Sequence, residues 1–247
     1  MTDPGGSERD VVALVVAAGQ GTRLGGETPK QFRELGDRML LTWAVQALAR
    51  APSVQRFVIV VTPGWEERVR HELARRAPHV RVAEVVSGGA TRQDSVWHGL
   101  QAAPAASHLL VHDAARPFPT PELVESAIMA ARRCGAATVA LAVADTLMRA
   151  DESTAQVLAS ATLERRGVWA IQTPQVFDAS LLREAHVHAR EQGLAATDDC
   201  SLVLALGRHV ELVRGSSWNI KVTEPEDWPR AAWILRAREE EIERGDA

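Results

Sequence analysis

The stretch Val11 to Gln31, VVALVVAAGQGTRLGGETPKQ, constrains this chain more than any other. Apolar residues from Val11 to Val16 break abruptly into Ala17-Ala18-Gly19-Gln20-Gly21. β-Branched residues followed by glycines predict a buried strand feeding a tight loop that exposes its backbone. Without Cβ atoms such a loop brings its N–H groups close to an anion. Arg23 and Lys30 add two positive charges to the same loop, so a phosphate site is expected. Two common forms of that site are excluded. A dinucleotide fingerprint needs a third glycine where Leu24 stands and an acidic residue about 20 positions on. The second strand instead ends in Val61-Thr62-Pro63. A P-loop needs lysine directly after glycine, whereas Lys30 follows Pro29.

The rest of the chain is ordinary in bulk. Its 247 residues, 46% hydrophobic and 24% charged, suit one α/β domain with a sizeable core or two small ones. A formal charge of −4 argues against a nucleic-acid or membrane-surface partner. The polar start MTDPGGSERD has no apolar h-region, and no apolar run approaches the roughly 20 residues of a membrane span. Residues 1–10 read as a disordered leader. Cys134 and Cys200 sit far apart in apolar, helix-like contexts and read as reduced core thiols of a cytoplasmic protein. Among 28 basic residues only Lys30 and Lys221 are lysines. A compact ammonium is chemically unlike a planar guanidinium, so both positions are expected to need a point charge in a narrow site.

Taken in order, the pattern predicts helices at 40–50, 66–77, from 92, 121–134, 179–191 and 200–206, and a closing helix at 225–244. Strands are expected at 57–61, 80–86, 109–111, 138–143, 169–171, 209–213 and 219–222. Thr91-x-x-Asp94 has the form of a capping box, and Gln172 to Gln175 (QTPQ) reads as a turn. Near-continuous apolar strands alternating with helices imply an α/β fold, a mostly parallel sheet covered on both faces. Residues 145–167 are polar with short apolar alternations and predict a protruding β-arm on a single domain spanning 11–247.

Ligands of such sheets bind beyond the C-terminal ends of the strands, where the glycine loop, Ser87-Gly88-Gly89, HDAARP (His112 to Pro117), QTPQ and NIKVT (Asn219 to Thr223) are all expected. Asp113, just after a buried strand, requires a cation or donors to satisfy it. With phosphates nearby it suits Mg²⁺. Arg116 can face the same cavity; the plainer alternative is an Asp113–Arg116 ion pair stabilising a turn. His112 reads as structural, and no histidine is assigned to catalysis.

The loop A-A-G-x-G-x-R-L followed by P-K resembles that of the sugar-phosphate nucleotidyltransferases. AAGQGTRLG, PKQF, GGATRQDSV, HDAARP, DTL, TPQVF, TDD and NIKVT, in this order, resemble the 2-C-methyl-D-erythritol 4-phosphate cytidylyltransferases across roughly residues 11–235. The resemblance implies a Rossmann-like nucleotidyltransferase that uses CTP, methylerythritol phosphate and Mg²⁺, as a homodimer whose arm reaches over the partner's site. It implies that Ala17, Ala18, Gly19, Arg23 and Lys30 hold the triphosphate and that Gly89 and Ser95 meet the cytosine. Asp113, flanked by Ala114 and Arg116, would take the metal and ribose. Thr146, Arg165, Thr173, Thr197 and Lys221 would form the acceptor pocket, Thr146 and Arg165 coming from the neighbouring subunit. Arg23, Lys30, Asp113, Arg165 and Lys221 are the implied catalytic set. One departure stands out: members often carry lysine two residues after the arm's Asp-Thr, where this chain has Met148 followed by Arg149. Ribitol 5-phosphate cytidylyltransferases share the CTP-side motifs and form the alternative within the class. A non-catalytic nucleotide sensor is the alternative outside it, although such a chain is expected to have lost Arg23, Lys30 or Asp113.

Overall fold

Strand β1 (Val11–Ala17) is buried along nearly its whole length because the sheet is covered on both sides. Val11, Ala13, Val15 and Ala17 pack into one apolar layer, while Val12 and Leu14 pack into the other. A strand with two buried faces has no polar face to alternate with, hence the continuous apolar run. The computed structural model describes residues 11–19, 28–151 and 157–244. The leader 1–10 and Arg23 lie outside the described residues.

Beyond β1 the chain makes a single 3₁₀ turn (Lys30–Phe32), a two-stranded ribbon of β2 (Glu34–Leu35) and β3 (Arg38–Met39), and helix α1 (Leu40–Ala49). Then come β4 (Val54–Val61), α2 (Glu66–Arg76), β5 (Val82–Ser87), α3 (Arg92–Ala102), β6 (His108–Asp113), α4 (Pro121–Cys134) and β7 (Ala136–Ala142). The arm follows, with β8 (Leu147–Asp151) and β9 (Leu158–Leu163). The chain ends with β10 (Trp169–Asp178), α5 (Ala179–Gln192), α6 (Asp199–Ala205), β11 (Glu211–Arg214) and α7 (Asp227–Arg244).

Seven strands form one sheet in the order β11-β7-β10-β6-β1-β4-β5. All neighbours are parallel except β10, which runs antiparallel to both β6 and β7. Helices α1, α2 and α4 cover one face and α3, α5 and α6 the other. Helix α7 closes a third cluster with Leu35, Phe118, Ile220 and Val222. The expected α/β architecture is the one observed.

Several helix ends follow from the sequence. Thr91 and Asp94 cap α3 reciprocally, and Thr120 with Pro121 at the first helical position starts α4. Asp178 and Asp198 cap α5 and α6.

Four local expectations are corrected. QTPQ is not a turn: it lies inside the ten-residue β10, whose Thr173–Pro174 peptide is cis and whose pairing with β7 shifts register between Ile171 and Gln175. Asn219 to Val222 is not a strand. Its alternation arises because Ile220 and Val222 are buried in the α7 cluster, while the segment is tied to the turn after β6 through Val222 N–H on the Ala115 carbonyl. Asp113 is the last residue of β6 rather than the first after it. Cys134, at the exposed last turn of α4, is not a core thiol, whereas Cys200 is buried.

Strands β8 and β9 form a separate two-stranded antiparallel ribbon outside the main sheet, with β9 exposed throughout. Met148 and Arg149 are adjacent on β8, and neighbouring strand residues face opposite sides.

Candidate active site

The C-terminal ends of β5, β4, β1 and β6 open onto a cavity of about 640 Å³. That size suits a nucleotide-scale ligand. Its walls are glycine-rich for a steric reason. A Cβ at Gly88 would lie 2.2 Å from the Ala18 Cβ, and one at Gly89 would lie 2.4 Å from the Asp94 Cβ. Gly88 N–H is bonded to the Val61 carbonyl, so the loop cannot back away without losing that bond. By contrast, a Cβ at Gly19 meets no described atom within 4 Å.

Gln31 fixes the approach to Lys30. Its amide donates to the carbonyls of Ala17 and Gly19, both at 2.7 Å. Next to it, Phe32 is buried and stacks on Trp65 with centroids 4.2 Å apart. Lys30 thus leaves a braced turn and lines the cavity. Ser95, buried at the start of α3, accepts Gly89 N–H at 3.1 Å and donates to the Thr91 carbonyl at 2.8 Å.

The charged centre is Asp113. Arg92 Nε lies 3.2 Å from its Oδ1 and Lys221 Nζ lies 2.7 Å from its Oδ2. Burial alone would raise the Asp113 pKa; the Arg92 and Lys221 charges outweigh it and hold the carboxyl well below the usual range. Asp113 pairs with these two cations rather than with Arg116, whose guanidinium donates to the Asn219 carbonyl at 2.8 Å. Ala114 spends its N–H on Val16 in the sheet. The described cavity lining carries three cations, Lys30, Arg92 and Lys221, against one carboxylate. It is built to receive an anion.

Behind Asp113 runs a buried chain of hydrogen bonds. Asp113 N–H donates to Thr173 Oγ1 at 3.1 Å, and that hydroxyl lies 3.1 Å from His112 Nδ1. It donates there because the Arg116 carbonyl requires the ring proton of the neutral imidazole on Nε2. His112 Nε2 then carries the ring proton and donates to the Arg116 carbonyl at 2.8 Å. This fixes the tautomer and supports the structural reading of His112. Replacing Thr173 by valine orphans both the Asp113 amide and His112 Nδ1. Urea unfolding should show a loss of about 1–3 kcal/mol, the cost of a stranded buried polar group. An unchanged midpoint would contradict the chain.

His112 also predicts a pH dependence. Burial pushes its pKa down to about 4, against an ordinary value near 6.5. Between those values the unfolded chain binds the extra proton, so stability is complete above about pH 6.5 and falls as pH drops towards 4. The loss attributable to His112 approaches about 3 kcal/mol. Urea midpoints at pH 7 and 4.5 should converge for a His112→Gln variant relative to the parent chain; identical slopes would refute this.

Of the expected site residues, Ala17, Ala18, Gly19, Lys30, Gly89, Ser95, Asp113 and Lys221 line one cavity. Thr173 lies beneath it. Thr146 and Thr197 are exposed, and Arg165 bonds the Ala144 carbonyl at the base of the arm; none of the three lines the cavity. Arg92, Gln31 and the buried Asp199 were not legible as site residues, although Arg92 and Gln31 lie inside recognised motifs. A cation in the first turn of α3 opposes the helix dipole, and that misplacement was the available signal for Arg92.

A family model described as IspD, 2-C-methyl-D-erythritol 4-phosphate cytidylyltransferase, matches residues 11–237. The chain belongs to this family. Membership makes it a nucleotidyltransferase, an enzyme that moves a cytidylyl group. A cytidylyltransferase of that name from Desulforamulus reducens is 43% identical over 230 residues, covering 93% of this chain and 97% of its own. A protein named bifunctional enzyme IspD/IspF, from Desulforudis audaxviator, is 45% identical over 226 residues; the chain spans 57% of that longer relative. Among solved structures, the family member from Thermus thermophilus superposes with a TM-score of 0.73 at 37% identity, covering 90% of this chain and 98% of the other. The 4-diphosphocytidyl-2C-methyl-D-erythritol synthase of Anaerococcus prevotii gives 0.79 at 28%, covering 93% and 100%.

Proposed function

We propose that the chain transfers CMP from CTP to 2-C-methyl-D-erythritol 4-phosphate, giving 4-diphosphocytidyl-2-C-methyl-D-erythritol and pyrophosphate. The observation that carries the reading is the cavity at the strand ends, whose described lining holds three cations, Lys30, Arg92 and Lys221, and one carboxylate, Asp113. The names of the relatives favour methylerythritol phosphate over ribitol phosphate as acceptor.

An oxygen of the acceptor phosphate attacks the α-phosphorus of CTP. The bond from that phosphorus to the α–β bridging oxygen breaks, and pyrophosphate leaves with the electron pair. A phosphate monoester has its second pKa near 6 and is already largely a dianion at pH 7. The reaction therefore needs no general base, and the enzyme's task is to bring two anions together in line. Lys30, with Arg23 on the same loop, balances the charge growing on the leaving pyrophosphate. Lys221 sits at the mouth beside Asp113 and is placed to take the acceptor phosphate. Gly88 and Gly89 let the base approach the backbone. Thr173 acts by holding Asp113 and His112. Thr146, Arg165 and Thr197, which stand away from the cavity of one chain, serve the acceptor in a homodimer. The exposed apolar residues of the ribbon, Met148, Leu158 and Leu163, support that assembly.

Asp113 fits Mg²⁺, an ion that takes one or two carboxylates together with substrate phosphates and water rather than a cage of protein ligands. Among the described residues no group of three or more His, Cys, Asp or Glu could hold a metal by itself. When bound, Mg²⁺ supplies further neutralisation of the triphosphate. No described helix is long and apolar enough to cross a membrane.

Phosphorus NMR tests the reaction. With CTP, Mg²⁺ and methylerythritol phosphate, the monoester signal should be replaced by a coupled diphosphate pair and pyrophosphate. A monoester signal that persists while CTP is consumed would contradict acceptor transfer.

A further inference from the structure

Asp199, the first residue of α6, is a buried carboxylate that the proposed chemistry does not use; its side chain is 1% exposed. Its Oδ1 accepts Nε2–H of the wholly buried His186 at 2.9 Å, and its Oδ2 accepts Arg92 NH1 at 2.8 Å. The remaining contact of Arg92 with an acid is the longer one, Nε to Asp113 Oδ1 at 3.2 Å. One guanidinium is thus shared between two carboxylates and is anchored more tightly on the one away from the cavity.

That sharing has a consequence for Asp113. A guanidinium beside a single carboxylate favours the bidentate fork, which occupies both oxygens. Asp199 draws NH1 away, so Arg92 gives Asp113 one hydrogen bond. Oδ2 of Asp113 then faces Lys221, a partly exposed and flexible partner. Keeping a buried ion pair is a poor way to gain stability, since desolvation offsets much of the attraction. Asp199 is itself well braced. Its N–H donates to Gln175 Oε1 at 3.1 Å, and His186 stacks on Trp97 at 6.3 Å between centroids.

We propose that Asp199 is a positioning residue for the nucleotide end of the site, acting through Arg92 to hold Asp113 with one carboxylate oxygen available to ligand. The proposal rests on the reading of this cavity as the CTP site. It makes the buried Asp199–Arg92–Asp113 line part of nucleotide affinity rather than a tie between helices. The test substitution keeps the His186 bond, because Nε2–H donates equally well to an amide oxygen and Nδ1 has no acceptor for the other tautomer. The amide NH2 then faces Arg92, which it cannot hold.

The test is Asp199→Asn, with CTP binding read by calorimetry and both KM values read from pyrophosphate release. Turnover by the parent chain checks the functional reading separately. The expected result is a CTP dissociation constant and CTP KM raised about 10–100-fold, the scale of losing an outer partner that orients a ligand-binding group. The acceptor KM should stay within about twofold. Arg92→Lys, which cannot span two carboxylates, should reproduce this selective loss. Combining it with Asp199→Asn should add little further, since the two act as one unit. If Asp199→Asn does not fold, Asp199→Glu, which keeps the charge but moves it by one methylene, decides by the same criterion. Unchanged CTP affinity with a lowered Tm, or equal losses for both substrates, would overturn the proposal.

Discussion

Replacing Lys30 by alanine lowers kcat by roughly 10²–10³, the scale of losing one preorganised donor to transition-state charge. The expectation rests on how the residue is mounted. Gln31 ties the turn to the carbonyls of Ala17 and Gly19, and Phe32 packs on Trp65. Removing the ammonium therefore leaves the backbone where it was, and Tm should move little. The charge is needed most when pyrophosphate departs, so kcat should fall further than CTP affinity. Single-turnover kinetics and calorimetry separate the two. A kcat within a few-fold of the parent enzyme would remove Lys30 from the chemistry.

Asp113→Asn is expected to cost a comparable 10²–10³ in kcat/KM for CTP, again with the fold intact. Breaking a buried ion pair is usually destabilising by several kcal/mol because a charge is stranded. Here neither partner is stranded. Arg92 keeps Asp199 at 2.8 Å, and Lys221, with 40% of its side chain exposed, can turn to water. The amide preserves shape and leaves the Asp113 N–H bond to Thr173 untouched. What disappears is the one negative charge among the described residues lining the cavity. Urea unfolding beside kinetics distinguishes the outcomes: a large loss of stability with activity retained would make Asp113 a structural counter-ion instead.

The fold was largely legible because its strongest signals are local. β1 has two buried faces and so reads as a continuous apolar run, and the helix starts at Thr91, Thr120 and Asp198 carry their own caps. The failures share one cause, which is long-range partnering. Pro174 suggested a turn because proline rarely sits inside a strand, yet β10 continues past it through a register shift. Ile220 and Val222 mimic strand alternation because Leu35, Leu40 and Phe118, far back in the chain, join α7 in burying them. In the site, Ala17, Ala18, Gly19, Lys30 and Asp113 line one cavity, whereas Ala114 and Arg116 of HDAARP do not. Glycine, lysine and aspartate at strand ends have few bland explanations, which made the first group legible. Arg92 and Asp199 were missed because they are 107 positions apart and meaningful only as a pair.

The most direct test of the account is pyrophosphate release from CTP and Mg²⁺, run in parallel with methylerythritol phosphate and ribitol 5-phosphate. Release that depends on methylerythritol phosphate, with ribitol phosphate near background, is the predicted result. Turnover with ribitol phosphate alone would contradict the acceptor assignment while leaving the CTP cavity standing. CTP binding with no release for either acceptor would contradict the catalytic account itself.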